Sequence, residues 1–250
     1  MKLKTLASSY PGGGKSYFGL THPKVAWLIT EPGSEILIDT HPNLGKNLVW
    51  KEQFIPSPIE DVKVVFERLE KAIIKAHMDC KEGLVETLDL DNLSFLMEYR
   101  WQYINKYEKQ FGSNGALDNR SMYGTLGRWG FQFIINSILS FPGNVIVTCH
   151  EQVEGEEAMA NKVDKSSPIV PSILGGLRDK LEGMFSASIY LDKQKIAGGY
   201  KYVARCQKGG QRNAKNRYGL PELVEDISYQ KIIDTINNNK TKQAAQPVAV

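Results

Sequence analysis

At 250 residues, with 42% hydrophobic and 24% charged residues, the chain suits a single α/β domain that buries a sizeable core. Its net charge of +3 is too small to imply nucleic-acid binding by itself, and no apolar run approaches the roughly 20 residues of a membrane span. Cys80, Cys149 and Cys206 have no metal-ligand spacing and form no even disulfide set, and no apolar stretch follows Lys2 and Lys4 as a secretory signal would require; a reducing cytoplasm is the expected setting.

Residues 2–8 read as a short strand and residues 14–20 as the first turns of a helix. Val25–Thr30 is a compact apolar run of the kind that forms a buried parallel strand, and Ile36–Ile38 reads as another short strand. Between Pro58 and Met78, apolar residues recur at helical spacing. Leu84–Asp91 is strand-like and ends in acidic residues, 93–111 is aromatic and helical, and Gly112–Gly127 is expected to be a polar loop. A helix over about 128–140 precedes Pro142-Gly143 and the apolar strand Asn144–Cys149. Glu151–Pro171 reads as weakly structured, Leu174–Leu181 as helical, and 222–236 as the last helix. Phe185–Leu191 and Tyr200–Cys206, joined through Gly198-Gly199, suggest an antiparallel edge hairpin. Strands alternating with helices predict one α/β domain with a mostly parallel sheet covered on both faces. The core is expected over residues 1–236, and 237–250 is expected to be a disordered tail.

Ser9-Tyr10-Pro11-Gly12-Gly13-Gly14-Lys15-Ser16 follows the first predicted strand and opens the first predicted helix. That is the context of a phosphate-binding P-loop of the Walker A type, with Ser9 where the pattern has Gly. Glycines let backbone N–H groups turn inward around phosphate, and the helix N-terminus adds partial positive charge. Ser9 to Tyr17 would line a nucleotide, Lys15 would reach its β and γ phosphates, and the Ser16 hydroxyl would ligate Mg²⁺.

A carboxylate on a neighbouring strand is needed to hold that cation. Asp91, last in Leu88-Asp89-Leu90-Asp91, is the first choice, and Asp89 shares its strand face as a competitor. Glu31 ends the strand after the P-loop helix, at the same sheet edge, as a candidate base for water or as a surface cap. Thr148, His150 and Gln152 follow an apolar strand where they could sense a γ-phosphate; a lone His is also commonly structural. From Lys193 to Tyr218 there are eight basic residues and no acidic one (Lys193, Lys195, Lys201, Arg205, Lys208, Arg212, Lys215, Arg217), interleaved with Tyr200, Tyr202 and Tyr218. Such a stretch suits a nucleic-acid backbone, a neighbouring subunit's ATP, or simply solvent.

Together these segments resemble the RecA-like ATPase core, a P-loop NTPase fold, over residues 1–236. The match is closest to small phage RecA-like proteins of the Sak group, linked to single-strand annealing and recombination. Lys215-Asn216-Arg217-Tyr218-Gly219 is similar to the Lys-Asn-Arg-Phe-Gly motif of RadA/Sms proteins. The resemblance implies Glu31 as catalytic Glu, Asp91 as the Walker B residue, a sensing strand end after Cys149, and Lys215 and Arg217 acting on nucleotide across a subunit interface. It implies DNA-binding loops at Ser113–Tyr123, with Arg120, and at Gly155–Pro171, with Lys162 and Lys165, although Glu154, Glu156 and Glu157 crowd the second. Little chain precedes the first strand, so subunits are expected to join without the N-terminal element that RecA proteins use.

The expected function is therefore a DNA-stimulated ATPase using ATP and Mg²⁺. It would act as a homo-oligomer on single-stranded DNA in the host cytoplasm, with a single-strand-binding protein as a possible further partner and no membrane. A nucleotide or small-molecule kinase, and a non-hydrolysing nucleotide-gated loader, are the alternatives.

Overall fold

In Leu88-Asp89-Leu90-Asp91 the two-residue period of a strand sends the leucines to one face and the aspartates to the other. In the computed structural model this strand, β4 (Thr87–Asp91), is buried along its whole length. The structure describes residues 2–113, 115–154, 167–197, 199–209, 211–212 and 214–244. Its other strands are β1 (Lys4–Ser9), β2 (Val25–Ile29), β3 (Leu48–Gln53), β5 (Asn144–Val153), β6 (Ile169–Pro171), β7 (Ala187–Ile196), β8 (Gly199–Arg205), β9 (Lys215–Asn216) and β10 (Leu223–Glu225). The helices are α1 (Lys15–Leu20), α2 (Ile36–Thr40), α3 (Pro42–Gly45), α4 (Val62–Lys81), α5 (Leu93–Tyr107), α6 (Asn119–Phe133), α7 (Arg178–Met184) and α8 (Tyr229–Ala244).

These strands form one mixed sheet in the order β10-β8-β7-β1-β5-β4-β2-β3, with β6 added to β5 and β9 to β7. The run from β7 to β3 is parallel, and β8 and β10 form an antiparallel edge. Helices cover both faces. Leu88 and Leu90 pack with Val65, Leu69, Leu96 and Leu126 of α4, α5 and α6. The opposite face carries Phe18 of α1 and Ile232 and Ile236 of α8, packed on Ala7, Ile146 and Ile189. This is the mostly parallel α/β architecture with an antiparallel edge that the sequence predicts.

Several boundaries differ from expectation. Ile36–Ile38 is not a strand but the start of α2, because β2 already pairs with β3 and leaves no free edge beside it. β3 has no counterpart among the expected strands: as an edge strand it alternates half-buried and exposed residues, including Lys51 and Glu52, and lacks an apolar run. The polar loop expected over Gly112–Gly127 ends early, because Asp118 caps α6 by accepting from Ser121 N at 3.0 Å. Past α6 the chain continues as a π-helix over Ile134–Leu139. Glu151–Pro171 is not uniformly irregular: β5 runs on to Val153 and pairs antiparallel with β6. Leu223–Glu225, expected to be helical, instead fills the open edge of β8. The tail expected to be disordered from Asn237 is helical as far as Ala244, where the apolar stripe of α8 carries Ile236 onto the core.

Below α1, His22 is fully buried; its Nδ1 donates to the Phe18 and Gly19 carbonyls at 3.1 Å and its ring meets Phe18 and Tyr229. Burial lowers its pKa from 6.5 to about 4, against the two backbone bonds that favour the charged ring. Between those values the unfolded chain takes up a proton that the folded chain refuses, so stability is full above the window and falls as pH drops through it. The contribution lost by pH 5 is about 2 kcal/mol. Urea denaturation at pH 7 and pH 5 should show this loss in the wild type and a smaller one in His22→Gln; identical pH dependence in the two would refute it.

Candidate active site

Gly14 takes a left-handed conformation (φ 97°) immediately before α1, which only glycine adopts without strain, and so lets the loop close onto the helix. Ser9 replaces the glycine of the usual loop pattern, and the structure accommodates it at Gly13. A Cβ on Gly13 would lie 2.6 Å from the Ser9 side chain, so the bulk added at one position is matched by its absence at the other. The Ser9 hydroxyl donates to the Tyr10 carbonyl at 2.8 Å and accepts from Lys15 Nζ at 3.3 Å. Pro11 and Gly12 complete the outward turn of the loop, both exposed.

Parallel β1, β5, β4 and β2 all deliver their C-terminal ends to this loop. The order places β5 between β1 and β4, so Thr148 and His150 stand between the P-loop and Asp91. Ser16 Oγ donates to Asp91 Oδ2 at 2.6 Å, and Thr148 Oγ1 donates to Asp91 Oδ1 at 2.6 Å. Burial raises the Asp91 pKa; the two hydroxyl bonds and Lys15 pull it back, while Glu31 adds to the rise. Asp89 does not take part. It lies under α1, where a Cβ on Gly19 would come within 1.9 Å of its Oδ2, and neither of its oxygens has a hydrogen-bond partner. Burial, reinforced by the Asp91 charge, pushes its carboxyl well above the usual range.

His150 bridges the other two charged groups. Lys15 Nζ donates to its Nδ1 at 3.3 Å, and its Nε2 faces Glu31 Oε1 at 3.2 Å. Asn92 Nδ2 donates to the second Glu31 oxygen. Burial pushes the Glu31 carboxyl up, but His150, Lys15 and Asn92 together outweigh it and hold the pKa below its ordinary value. Glu31 therefore stays ionised at neutral pH. The backbone beneath is fixed by Thr30 N and Glu31 N, which donate to the Asp91 carbonyl at 2.6 and 3.3 Å. In the sequence Glu31 and His150 are separate candidates; the pairing of Glu31 with Asn92 carries no local signal and depends on β2 lying beside β4.

Lys15, Ser16, Tyr17 and Glu31 line one cavity of about 370 Å³. The Ser16 hydroxyl, which lines it, and the buried Asp91 carboxylate bonded to that hydroxyl are hard ligands of the kind Mg²⁺ takes. Among the described residues no three His, Cys, Asp or Glu side chains cluster as a metal site, so such a cation would draw its other ligands from phosphate and water. Two carboxylates against one lysine also favour a ligand that brings its own cation. Once there, Mg²⁺ would neutralise phosphate charge.

Gln152 accepts from the Ser172 hydroxyl at 2.8 Å and, two residues beyond His150 along β5, shares its strand face. Other expected residues lie elsewhere. Arg120 is exposed in the first turn of α6 rather than on a loop. Lys162 and Lys165 lie outside the described residues. Lys215 pairs with Ser188, whose other neighbour is Leu6, and its Nζ donates to the Gly183 carbonyl at 2.7 Å. Arg217 N donates to the Ser186 carbonyl, level with the beginning of β1. Both cations thus sit low on the sheet, away from the P-loop of their own chain.

A family model described as an AAA domain matches residues 1–218, and the chain belongs to that family, a P-loop ATPase type of domain. No curated protein matches the chain. Among the described residues no helix is long and apolar enough to cross a membrane.

With Glu31 ionised and aimed into the cavity, Glu31→Gln should keep nucleotide binding and lower turnover about 10²–10⁴-fold. Titration calorimetry beside a phosphate-release assay measures both; undiminished turnover would remove Glu31 from the chemistry.

Proposed function

We propose that this chain, a member of the AAA domain family, is a Mg²⁺-dependent RecA-like ATPase that works as an oligomer on single-stranded DNA, in phage recombination or replication. The observation that carries the hydrolytic reading is Glu31, ionised and oriented by His150 and Asn92 at the rim of the cavity that holds Lys15 and Ser16. A carboxylate so held can orient and deprotonate a water molecule. Lys15 would bind the β and γ phosphates, and Ser16 and Asp91 would hold the cation. His150, bonded to both Lys15 and Glu31, would register a γ-phosphate entering between them.

Two further observations favour the DNA and oligomer parts. Tyr123, Arg128, Phe131 and Lys180 surround a second cavity of about 330 Å³ between α6 and the 3₁₀ turn Gly175–Leu177, with Tyr123 stacked on Trp101. Aromatic faces beside two cations, with no carboxylate among the described residues that line the cavity, suit bases on a phosphate backbone. Lys215 and Arg217, low on the outer side of β7, are better placed for a neighbour's nucleotide than for their own. There they would act as fingers supplied in trans.

Steady-state ATP turnover with and without single-stranded DNA tests the reading, and stimulation is expected. A requirement for a small acceptor molecule would indicate a kinase, and absence of turnover a nucleotide-gated scaffold. Lys15→Ala and Arg217→Ala should each be inactive alone and recover activity when mixed, because the mixture contains interfaces with both groups intact. No recovery would remove the trans role.

A further inference from the structure

The cavity that holds Lys15 and Ser16 is also lined by aromatic and aliphatic side chains. β1 and β7 run in parallel register up to Ser8 and Tyr190, after which β7 runs on to Ile196 and turns back as β8. The hairpin therefore overhangs the P-loop. Tyr202, opposite Lys193 on this overhang, lies directly on the loop: a Cβ on Gly14 would come 2.4 Å from its ring. Its ring also meets that of Tyr17, with centroids 4.7 Å apart and planes tilted by 32°. Ile36 and Leu37 of α2 face the same space, and Ile36 is 59% exposed, a large apolar surface left open beside two aromatic rings.

We propose that the Tyr17–Tyr202 pair is the platform on which the nucleobase of a bound nucleoside triphosphate rests, with Ile36 and Leu37 covering its other face. The inference rests on the reading of Lys15 and Ser16 as the phosphate end. A nucleoside triphosphate is charged at one end and flat and aromatic at the other, and the lining of the cavity offers both chemistries, Lys15 and Ser16 together with two tyrosines and the aliphatic Ile36 and Leu37. The platform meets a base by its face. The one hydroxyl on α2 in this lining, that of Thr40, is engaged with the Ile36 and Leu37 carbonyls of its own helix and with His41. Stacking of this kind is tolerant of base identity, since every base offers a π-face. Tyr202, one of the tyrosines interleaved with the basic stretch, is thereby assigned to the nucleotide rather than to DNA.

Calorimetric titration of the full chain with ATP, GTP and inorganic tripolyphosphate, each with Mg²⁺, tests the assignment. Tyr202→Leu, which keeps apolar bulk without a π-face, should weaken ATP and GTP about tenfold, the size of one lost stacking contact. Tripolyphosphate should bind Tyr202→Leu within about twofold of wild type, which also shows that the variant is folded. Tyr202→Phe should bind all three ligands as the wild type does. If Tyr202→Leu left ATP affinity unchanged, or weakened tripolyphosphate as much as ATP, the platform would be wrong while the phosphate site stood. If the wild type bound neither ATP nor tripolyphosphate, the phosphate site would fall too.

Discussion

The Asp91 carboxylate, fully buried at the end of β4, accepts from Ser16 on α1 and from Thr148 on β5, and so fastens three elements at one point. Removing a carboxylate from water is costly unless hydrogen bonds replace its hydration. Here two hydroxyls do so, and each comes from an element that must be in register for the bond to form. The P-loop helix cannot tilt, nor β5 slide, without leaving a buried charge less well solvated. The parallel sheet makes this possible by bringing the C-terminal ends of β1, β5, β4 and β2 to one edge.

Where a signal is local, the sequence carries it. The P-loop is readable because glycines between a strand and a helix have a single physical explanation, and the alternation in Leu88–Asp91 puts both aspartates on the face of α1. Choosing Asp91 over Asp89 needs the position of Gly19, which admits the Asp89 side chain beneath the helix instead of beside Ser16. The losses are of one kind. β3 and β10 are edge strands whose partners, not their composition, make them strands. α2 is apolar but partly exposed, and its run of three aliphatics carries no period. His150 can be read as a polar strand end; that it touches both Lys15 and Glu31 follows only from the strand order, with β5 between β1 and β4. Tyr202 depends on a hairpin overhang that no local pattern encodes.

The strand that carries His150 is anchored just beyond it. Glu151 has a fully buried side chain and accepts from Arg212 at 2.8 Å, and Arg212 in turn lies over the Tyr190 ring. Breaking such a pair by removing one partner typically costs about 3–5 kcal/mol. The end of β5 is thus joined to the segment leading into β9, where Lys215 lies. Adjacent residues of one strand face opposite ways, so His150 reaches the phosphate loop while Glu151 reaches the basic segment.

Lys15 is only 5% exposed, and its ammonium is bonded to the Ser9 hydroxyl and the His150 ring; among the described residues no carboxylate pairs with it directly. A charge desolvated to that degree without a contacting counter-ion raises the free energy of the empty fold. An anion bound there relieves it, and by mass action whatever binds the folded state alone stabilises that state. A phosphate held by this lysine would therefore also become part of the protein's own cohesion. The empty chain would then be the less stable form, and its resistance to heat or proteolysis a readout of how much of that anion surrounds it.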